Sequence, residues 1–594
     1  MKNKFILFAL VAMASLLTMC SEDEKINPAA SITLDPASDS GKPGEVVSVN
    51  VGFDAPNGAQ DLYVYVNGVE EDFISVSGVS SPYTYEYTVP TDATIGSTIA
   101  LAFQLIDAKG YPSQVANFLI TVGETLSGTL TTRTLDAAQQ YFIKGQVFIP
   151  NGVTVTIPAG TILKGDKATK ATLIVQPGGK LVCNGEANNP VVFTSAQPVG
   201  ARDRGDWGGI VMLGNAWVNQ SAQPAIEGIT PTQKFGSTTA EGATPTTNAN
   251  ENSGTLRYVR IEYAGIELTP NNETNSLTLG GVGNGTTMEY VQVSYGGDDG
   301  FEWFGGTVNG KYLVSLSTWD DDFDTDFGFQ GNIQFGLVVR NPFFGDQSGS
   351  NAFECDNAPN ANDTPSGASG YTRPVFSNIT VLGPRDFTTG LGSGTSARSI
   401  SANYQNAIHI RRRVAISIFN SFFSGFPVGV RLDDQATLDN LNNGTSRHAF
   451  NVLASPNNTV LGTSTSSSNV AFATGLSGGD ATTLQAYWTN NNNTLVNPSA
   501  GAPWSPTPGT PANSVDPYPG LGLNQNMFWG GSTSSTYPSN PNFTVTAGTL
   551  SSGADFTDPK LPGSFFTSTT YRGAFGATDW TDGWAEFQPL SKIY

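Results

Sequence analysis

The sequence predicts an all-β protein in which a right-handed parallel β-helix follows a small immunoglobulin-like β-sandwich. Two acidic turns, GGDDGFEWFGG at 296–306 and TWDDDFDTDFGFQG at 318–331, each follow a strand-like segment. Aligning Phe301 with Phe323 gives an offset of 22 residues, and aligning Tyr295 with Thr318 gives 23. Repeats of about 20 to 50 residues are typical of solenoids. The composition agrees, because 67 glycines and only 13% charged residues suit strands joined by tight turns.

The register of this solenoid follows from the same offset. Stacked rungs lie about 4.8 Å apart, so the two acidic turns should lie one above the other. Tyr290 and Tyr312, each in the strand that precedes an acidic turn, should therefore stack on adjacent rungs.

Charge and rare residues exclude several function classes. The formal net charge is −21, which argues against nucleic acid or anionic lipid as a partner and permits cations or neutral glycans. Two histidines in the whole chain argue against a histidine-based catalytic centre or a zinc site. Cys183 and Cys355 are compatible with a disulfide or, more simply, with two buried thiols.

The N-terminus predicts export and a lipid anchor. Residues 1–19 combine a basic start with an apolar stretch too short to span a bilayer, which indicates a signal peptide. The sequence Leu17 to Cys20 resembles a bacterial lipobox, although Met19 departs from its usual small residue. The resemblance implies lipidation at Cys20, followed by an acidic tether at 20–30. A plain secretory signal with a chance cysteine is the alternative.

The remaining chain divides by pattern. Residues 31–122 show short alternating strands that predict the immunoglobulin-like sandwich, and residues 125–594 predict the β-helix. Periodicity fades at about 439–555, which we expect to form long loop insertions. The aromatic tail at 565–584 is expected to pack across the solenoid end as a cap.

The stacked acids predict a metal site. A hard divalent cation such as Ca²⁺ takes about 6 to 8 oxygen ligands and would relieve the repulsion within such a stack. Solvated turns and a catalytic carboxylate site are the alternatives. Glu354, Asp356, Asp433 and Asp434 are expected to continue the stack on later rungs. The predicted metal ligands are Asp298, Asp299, Glu302, Asp320, Asp321, Asp322, Asp324 and Asp326.

Aromatic residues between the acids suggest a ligand surface. Trp303, Trp319 and Phe323 are candidates for stacking on sugar rings along a groove of the β-helix. Packing of the turns against neighbouring loops explains these residues equally well.

A catalytic β-helix also needs side chains that act as acid or base. The candidates in this sequence, a histidine and several arginines, do not lie in specific catalytic motifs. His409 lies in IHIRRR rather than in the Gly-His-Gly of polygalacturonase-type hydrolases. A lyase would need a free arginine base, for which Arg411, Arg412, Arg413 and Arg431 are present. Pairing of these arginines with nearby acids is the simpler reading.

Together, the acidic tag, the turn motifs and the tail motifs YRGAFG at 571–576 and DWTDGW at 579–584 resemble a family of Bacteroidota surface lipoproteins. The resemblance implies an outer-membrane protein that is anchored by lipid, including palmitate, and faces the cell exterior. We therefore expect a non-catalytic binding or structural accessory that is stabilised by calcium. Its expected partner is a glycan or a TonB-dependent transporter. A calcium-dependent polysaccharide lyase or glycoside hydrolase is the alternative.

Overall fold

The described part of the chain consists mainly of β-strands. The computed structural model describes residues 27–269, 272–357, 370–384, 401–426, 428–454, 470–472, 486–495, 538–545, 548 and 550–594. The predicted signal peptide, Cys20 and most of the tether lie outside these residues. The chain divides into two compact units after Val122.

The first unit is built from two sheets that share one core. Val47, Val49 and Val51 alternate with exposed residues along one strand, and they join Leu62 and Phe103 of the other sheet in a single buried cluster. This two-sheet arrangement is a β-sandwich, and its assignment to the immunoglobulin class stays a prediction. The three-stranded sheet contains Ser31–Leu34, Val46–Asp54 and Ser80–Thr88, and the five-stranded sheet contains Ser38–Gly41, Ala116–Val122, Thr98–Asp107, Ala59–Val66 and Val69–Ser75.

The second unit is a right-handed parallel β-helix whose strands stack in three faces. Face one contains Arg133–Thr134, Thr154–Pro158, Lys180–Asn184, Ser417–Phe419, His448–Ala449 and the first parts of Gly254–Glu262, Thr287–Ser294, Gly310–Leu316, Asn332–Val339 and Val375–Leu382. Face two contains Glu124–Thr129, the first part of Gln140–Ile149, Ile162–Gly165, Val191–Ser195, the second parts of the five long strands, Phe422–Ser424, Val452–Ala454 and Thr494–Leu495.

Face three carries the acidic residues of the turns and of the strands that follow them. It contains the second part of Gln140–Ile149, Thr172–Val175, Ile210–Leu213, Leu277–Gly280, Phe301–Phe304, Phe323–Asp326, Phe353–Cys355, Asn406–Ile410, Val428–Leu432 and Val470–Phe472. Short elements outside the faces are the paired strands Glu267–Thr269 and Asn272–Glu273, the helix Gln435–Asn442, and the 3₁₀ turns Thr239–Glu241 and Pro589–Ser591.

An aromatic stack fixes the corner between faces one and two. The rings of Tyr258, Tyr290, Tyr312 and Phe335 stack in sequence, with centroids 4.3, 4.3 and 5.0 Å apart. Each of these residues has a φ between 49° and 62°, a backbone conformation that turns the chain sharply. The predicted stacking of Tyr290 on Tyr312 is confirmed.

The offset between the two acidic turns is 22 residues throughout. Phe301 pairs with Phe323, and Ser294 pairs with Leu316. The 23-residue alignment of Tyr295 with Thr318 is wrong by one residue, because the Tyr295 backbone N–H donates to the Leu316 carbonyl at 2.8 Å.

The β-helix continues into the region expected to be loop. His448–Ala449, Val452–Ala454, Val470–Phe472 and Thr494–Leu495 pair in parallel with strands of earlier rungs. Strands of two or three residues carry too few alternating positions for a period to be visible in the sequence. Much of the remainder of 439–555 lies outside the described residues. Cys183 and Cys355 are both buried and unpaired.

The C-terminal tail runs along the side of the β-helix, which corrects the expectation of an end cap. Three hydrogen bonds trace its path. The Gly573 N–H donates to the Asn420 carbonyl, the Glu586 N–H donates to Gln292 Oε1 at 2.8 Å, and the Tyr594 hydroxyl donates to Glu262 Oε1 at 2.5 Å. The tail therefore crosses successive rungs toward the start of the solenoid. The cause is an apolar outer surface on face two, where Val314, Leu316, Leu337, Val339 and Leu382 pack against Phe575 and Trp584 of the tail and against Phe543.

Candidate functional site

The candidate site lies where two acidic turns enter face three on adjacent rungs. Asp298 and Asp299 precede the strand Phe301–Phe304, and Asp320 to Asp322 precede Phe323–Asp326. These strands pair in register, so that Glu302 lies beside Asp324. Parallel stacking thus brings carboxylates of two rungs to one edge of the solenoid.

A ladder of asparagine and aspartate side chains supports the turns. The Asn275 side-chain oxygen accepts the Asp299 N–H at 3.2 Å, and Asp299 Oδ1 accepts the Asp321 N–H at 2.8 Å. Asp321 Oδ1 accepts the Asn351 N–H at 2.5 Å, and Asn351 Oδ1 accepts the Asn406 N–H at 3.1 Å. An amide oxygen serves this role as well as a carboxylate does. The negative charges at 299 and 321 are therefore not required for turn formation.

The carboxylates converge in two groups that share one residue. The ligand oxygens of Asp298, Asp299 and Asp320 all lie within 4.8 Å of one another, and so do those of Asp299, Glu302 and Asp324. Asp299 is 8% exposed and Glu302 is 9% exposed. We call these five residues the acid cluster. Among the described residues, no ion pair involves any of them.

Electrostatics make the acid cluster unfavourable in its charged form. Burial, followed by repulsion from Asp320, holds the pKa of Asp298 well above its usual range. Burial and the neighbouring acids do the same to the pKa of Asp299, Glu302 and Asp324. Burial raises the pKa of Asp320 to about 7. A bound cation would remove this penalty.

A cavity of about 230 Å³ opens beside the acid cluster. It is lined by acidic and aromatic side chains, including Glu227, Glu273, Asp298, Asp299, Glu302, Phe235, Phe304 and Phe327. Sequence reasoning missed Glu227, Glu273 and Asn275, whose side chain donates to Glu302. Glu227 lies in the insertion at 219–252, and no spacing in the sequence indicates that it returns to the acidic turns.

Three predicted metal ligands lie outside both groups. Asp321 takes part in the ladder, and Asp326 Oδ1 accepts the N–H of Phe327 at 2.6 Å. Asp322 is fully buried, lies 3.2 Å from Arg340 Nη1 and accepts hydrogen bonds from Ser315 and Thr318. The Asp322 charge is therefore neutralised within the protein.

The structure corrects two of the three aromatic candidates. Trp303 and Phe323 are fully buried and belong to the solenoid core, where the Trp303 ring also stacks on Phe329 at 5.3 Å. The alternation of a strand turns them inward while Glu302 and Asp324 face outward. Neither can meet a ligand at the surface. Trp319 is 36% exposed and remains a candidate.

The later rungs of face three carry a paired network of acids and bases. Glu354, His409 and Arg431 are in register. His409 lies 3.2 Å from Glu354 and 2.9 Å from Asp433. Burial disfavours the charged imidazole, but hydrogen bonds to Asp433 and Glu354 outweigh it and raise the pKa of His409.

Three of the four arginines considered as lyase bases, Arg411, Arg412 and Arg431, are engaged in the same network. The guanidinium of the fourth, Arg413, lies 6.0 Å from the centre of the Tyr371 ring. Arg411 Nη2 lies 2.5 Å from Glu354 and 2.7 Å from Asp356. Arg412 contacts Asp356 at 3.0 Å, and Arg431 contacts Asp433 at 2.6 Å. These pairs agree with the simpler reading of the arginines as partners of nearby acids. Asp434 instead caps the helix Gln435–Asn442, where its side chain accepts the Thr437 N–H.

None of the helices in the described part of the chain has the length and apolarity needed to cross a membrane.

Comparisons with known proteins identify the family. Residues 128–493 match the family described as "Pectate-lyase like beta helix domain". A crystal structure of the catalytic unit of a GH87 alpha-1,3-glucanase from Streptomyces thermodiastaticus is 10% identical, with 75% of this chain and 95% of that chain covered, at a TM-score of 0.13. A TM-score of this size supports no conclusion about this chain. The comparison with curated proteins finds no significant match. Since the family match spans more than half of the sequence, the chain belongs to the pectate-lyase-like β-helix domain family.

Proposed function

We propose that the acid cluster binds Ca²⁺ and that the protein is a non-catalytic binding or structural accessory stabilised by this ion. The observation that carries the proposal is the pair of carboxylate groups around Asp299, whose oxygens lie within 4.8 Å without an ion-pair partner among the described residues. Five carboxylates supply the kind and number of oxygens that calcium prefers. Magnesium should bind less well, since it demands a strict octahedron and keeps its waters.

The paired network on the later rungs supports a role without catalysis. A base that removes a proton from a sugar must be free to accept it, whereas Arg411 is held by Glu354 and Asp356. Family membership favours the alternative, a calcium-dependent polysaccharide lyase or glycoside hydrolase. Incubation of the purified protein with a panel of anionic polysaccharides distinguishes the two. New reducing ends or unsaturated products would overturn the non-catalytic role.

The proposed location is the outer face of the outer membrane, with a lipid anchor at Cys20. It is supported by the lipobox-like sequence and the acidic residues that follow it. There its binding partner would be a glycan or a TonB-dependent transporter. The Cys20→Ala variant should leave the membrane fraction. Protection of the wild-type protein from protease added to intact cells would contradict the outward orientation.

The calcium site is tested with an isosteric pair of variants. Asp299→Asn keeps the side-chain oxygen that accepts the Asp321 N–H but removes the charge shared by both groups. Asp321→Asn makes the same change one rung later, at a residue outside both groups. Asparagine already occupies this ladder at 275, 351 and 406, so both variants should fold.

We expect millimolar Ca²⁺ to raise the melting temperature of the wild type and of Asp321→Asn, but not of Asp299→Asn. Calcium that binds only the folded state adds about 2.7 kcal/mol to the free energy of unfolding when its concentration is a hundred times Kd. Extracellular calcium sites often have a Kd of about 10⁻⁴ to 10⁻³ M, which sets the concentration range. In EGTA, Asp299→Asn should be at least as stable as the wild type, because repulsion falls. An identical wild-type melting temperature in EGTA and in calcium would refute the site.

A further inference from the structure

The first unit contains most of the large apolar side chains that the described residues expose. Phe73 is 51% exposed and Leu119 is 46% exposed, and both lie on strands rather than in loops. Single exposed apolar residues are ordinary in soluble proteins, whereas a concentration of them marks an interaction site. Seven of the twelve such side chains belong to this unit, namely Val46, Val69, Phe73, Val79, Tyr111, Val115 and Leu119.

The three-stranded sheet of this unit has the polar outer face of a sheet that meets water. Along Val46–Asp54, buried valines alternate with the exposed Ser48 and Asn50. Their partners on the neighbouring strand are Glu86 and Thr84, and the Thr84 hydroxyl donates to Asn50 Oδ1 at 3.1 Å. This face therefore serves as a reference for the other sheet of the same unit.

The five-stranded sheet departs from this pattern on its outer face. The Tyr63 ring lies beside that of Phe73 on the next strand, with centroids 5.2 Å apart. On the other side of the tyrosines, the strand Thr98–Asp107 turns two alanines outward, and Leu119 pairs with the first of them. Four neighbouring strands thus present one apolar surface. We call it the apolar sheet face, and it consists of Tyr63, Tyr65, Phe73, Ala100, Ala102 and Leu119.

The shape of the apolar sheet face suits a protein partner. Alanine has a short side chain, so the strand Thr98–Asp107 forms the low part of the face between Tyr65 on one side and Leu119 on the other. The strand that carries the tyrosines is paired on both of its edges, which fixes its backbone. Side chains on a fixed backbone lose little freedom when a partner docks, which favours binding.

Unpaired acids border the apolar sheet face beside Phe73. Glu70, Glu71 and Asp72 precede it on the edge strand Val69–Ser75, and all three are exposed. Within the described part of the chain, none of these acids forms an ion pair. Complementary charges across an interface steer association and select the partner. The acids therefore favour a partner that brings lysine or arginine to this border.

We propose that the apolar sheet face docks a partner protein whose contact surface has an apolar centre with lysine or arginine beside it. Tyrosine and phenylalanine are enriched in such interfaces. A second copy of the first unit is a poor occupant, because residues 27–122 contain eleven acids and only two cations, Lys42 and Lys109. The proposal goes beyond the calcium site and does not rest on it, because it assigns a protein-binding role to the first unit.

The first experiment identifies the occupant in cells that produce the full chain. The photo-crosslinking residue p-benzoylphenylalanine replaces Phe73, and in a control protein it replaces Ser48 on the reference face. We expect an adduct with another protein from position 73 and none from position 48. Absence of this adduct, or an equal yield from both positions, would overturn the proposal. An adduct between two copies of this chain, or with phospholipid, would overturn the assignment of the occupant.

The second experiment purifies the captured protein and titrates it calorimetrically against the full chain. Phe73→Ala and Leu119→Ser should each weaken binding tenfold or more. Val46→Ser is the matched control, since it changes a 52% exposed side chain on the reference face, and it should bind as the wild type does. All three positions are exposed, so the melting temperatures should stay close to that of the wild type. Equal affinity of the wild type, Phe73→Ala and Leu119→Ser would refute docking on this face.

The charge of the partner is tested separately with the same titration. The triple variant Glu70→Gln, Glu71→Gln and Asp72→Asn should bind more weakly than the wild type at low salt. Added salt should weaken binding of the wild type more than that of the triple variant, because salt screens exposed charges. An affinity that neither the triple variant nor salt changes would overturn the basic character assigned to the partner.

Discussion

At the scale of single residues, the acidic turns contain carboxylates with two different tasks. Asp322 is neutralised by Arg340 and is fully buried, so its charge belongs to the fold. Asp299 shares two groups of acids without a cationic partner among the described residues, so its charge is free for an ion. Carboxylates of two stacked acidic turns therefore differ in role because of what surrounds each of them.

The buried pair gives a prediction about stability. Arg340 donates to Thr318 Oγ1 at 2.8 Å and to the Asp320 carbonyl at 2.7 Å, besides pairing with Asp322. Arg340→Met leaves a buried carboxylate uncompensated and should lower the free energy of unfolding by about 3 to 5 kcal/mol. The double variant Arg340→Met with Asp322→Leu should recover part of this loss.

Chemical denaturation measures both variants. The control is Arg257→Met, because Arg257 lies 3.9 Å from Glu289 in a solvent-exposed pair and should cost less than about 1 kcal/mol. Equal losses in the free energy of unfolding for Arg340→Met and Arg257→Met would contradict the structural role assigned to Arg340.

The raised pKa values predict a pH dependence in EGTA. The acid cluster binds more protons when folded than when unfolded, from the ordinary pKa of about 4 up to the pKa of about 7 for Asp320. Stability should therefore fall as pH rises through this range. The raised pKa of His409 acts in the same direction, since its contribution is lost as pH rises. Glu354 and Asp433 have lowered pKa values and oppose this trend only at lower pH, where they become protonated.

Calcium should reverse much of this dependence, because it competes with protons for the same oxygens. The rise in melting temperature on adding calcium should be larger at pH 8 than at pH 5. Thermal melts at both values measure it. A rise that is equal at the two values would argue that the ion does not bind the acid cluster.

At the scale of elements, the C-terminal tail acts as a strap along face two. Trp584 is 1% exposed, and its ring lies 6.0 Å from Tyr258 and 5.9 Å from Tyr290. The strap therefore packs on the aromatic stack that forms the corner of successive rungs. Parallel stacking repeats the apolar outer positions on each rung, and the strap removes that stripe from water.

Loss of the buried Trp584 side chain from the strap should destabilise the β-helix. Trp584→Ala removes a buried indole and should cost about 3 to 5 kcal/mol. Ile593→Ala changes a side chain that is 83% exposed in the same tail and should remain within about 0.5 kcal/mol. Melting temperatures of the two variants compare the effects. A Trp584→Ala protein as stable as Ile593→Ala would show that the strap contributes little.

At the scale of the whole molecule, the candidate site belongs entirely to the second unit. Every residue of the acid cluster lies after Gly123, where that unit begins. A fragment of residues 123–594 should therefore fold and show the same calcium-dependent rise in melting temperature as the full chain. Thermal melts of both proteins measure it. A fragment that folds but shows no rise would place part of the site in the first unit.

The sequence pattern is enough to predict the β-helix, an offset of 22 to 23 residues between the acidic turns and the clustering of acids at one edge. Parallel stacking places equivalent residues of consecutive rungs beside each other, so a spacing such as Phe301 to Phe323 is enough to predict register. It also predicted the stack of Tyr290 on Tyr312.

Contacts between distant parts of the chain determine which acids converge and which are neutralised. Arg340 reaches Asp322 from the next rung, Asn275 reaches Glu302 from the previous one, and Glu227 reaches the cavity from an insertion. The tertiary structure also turned Trp303 inward and laid the tail along face two rather than across an end. The physical reason is that side-chain direction in a turn and cover for an outer face depend on partners far away in sequence, which a local period does not encode.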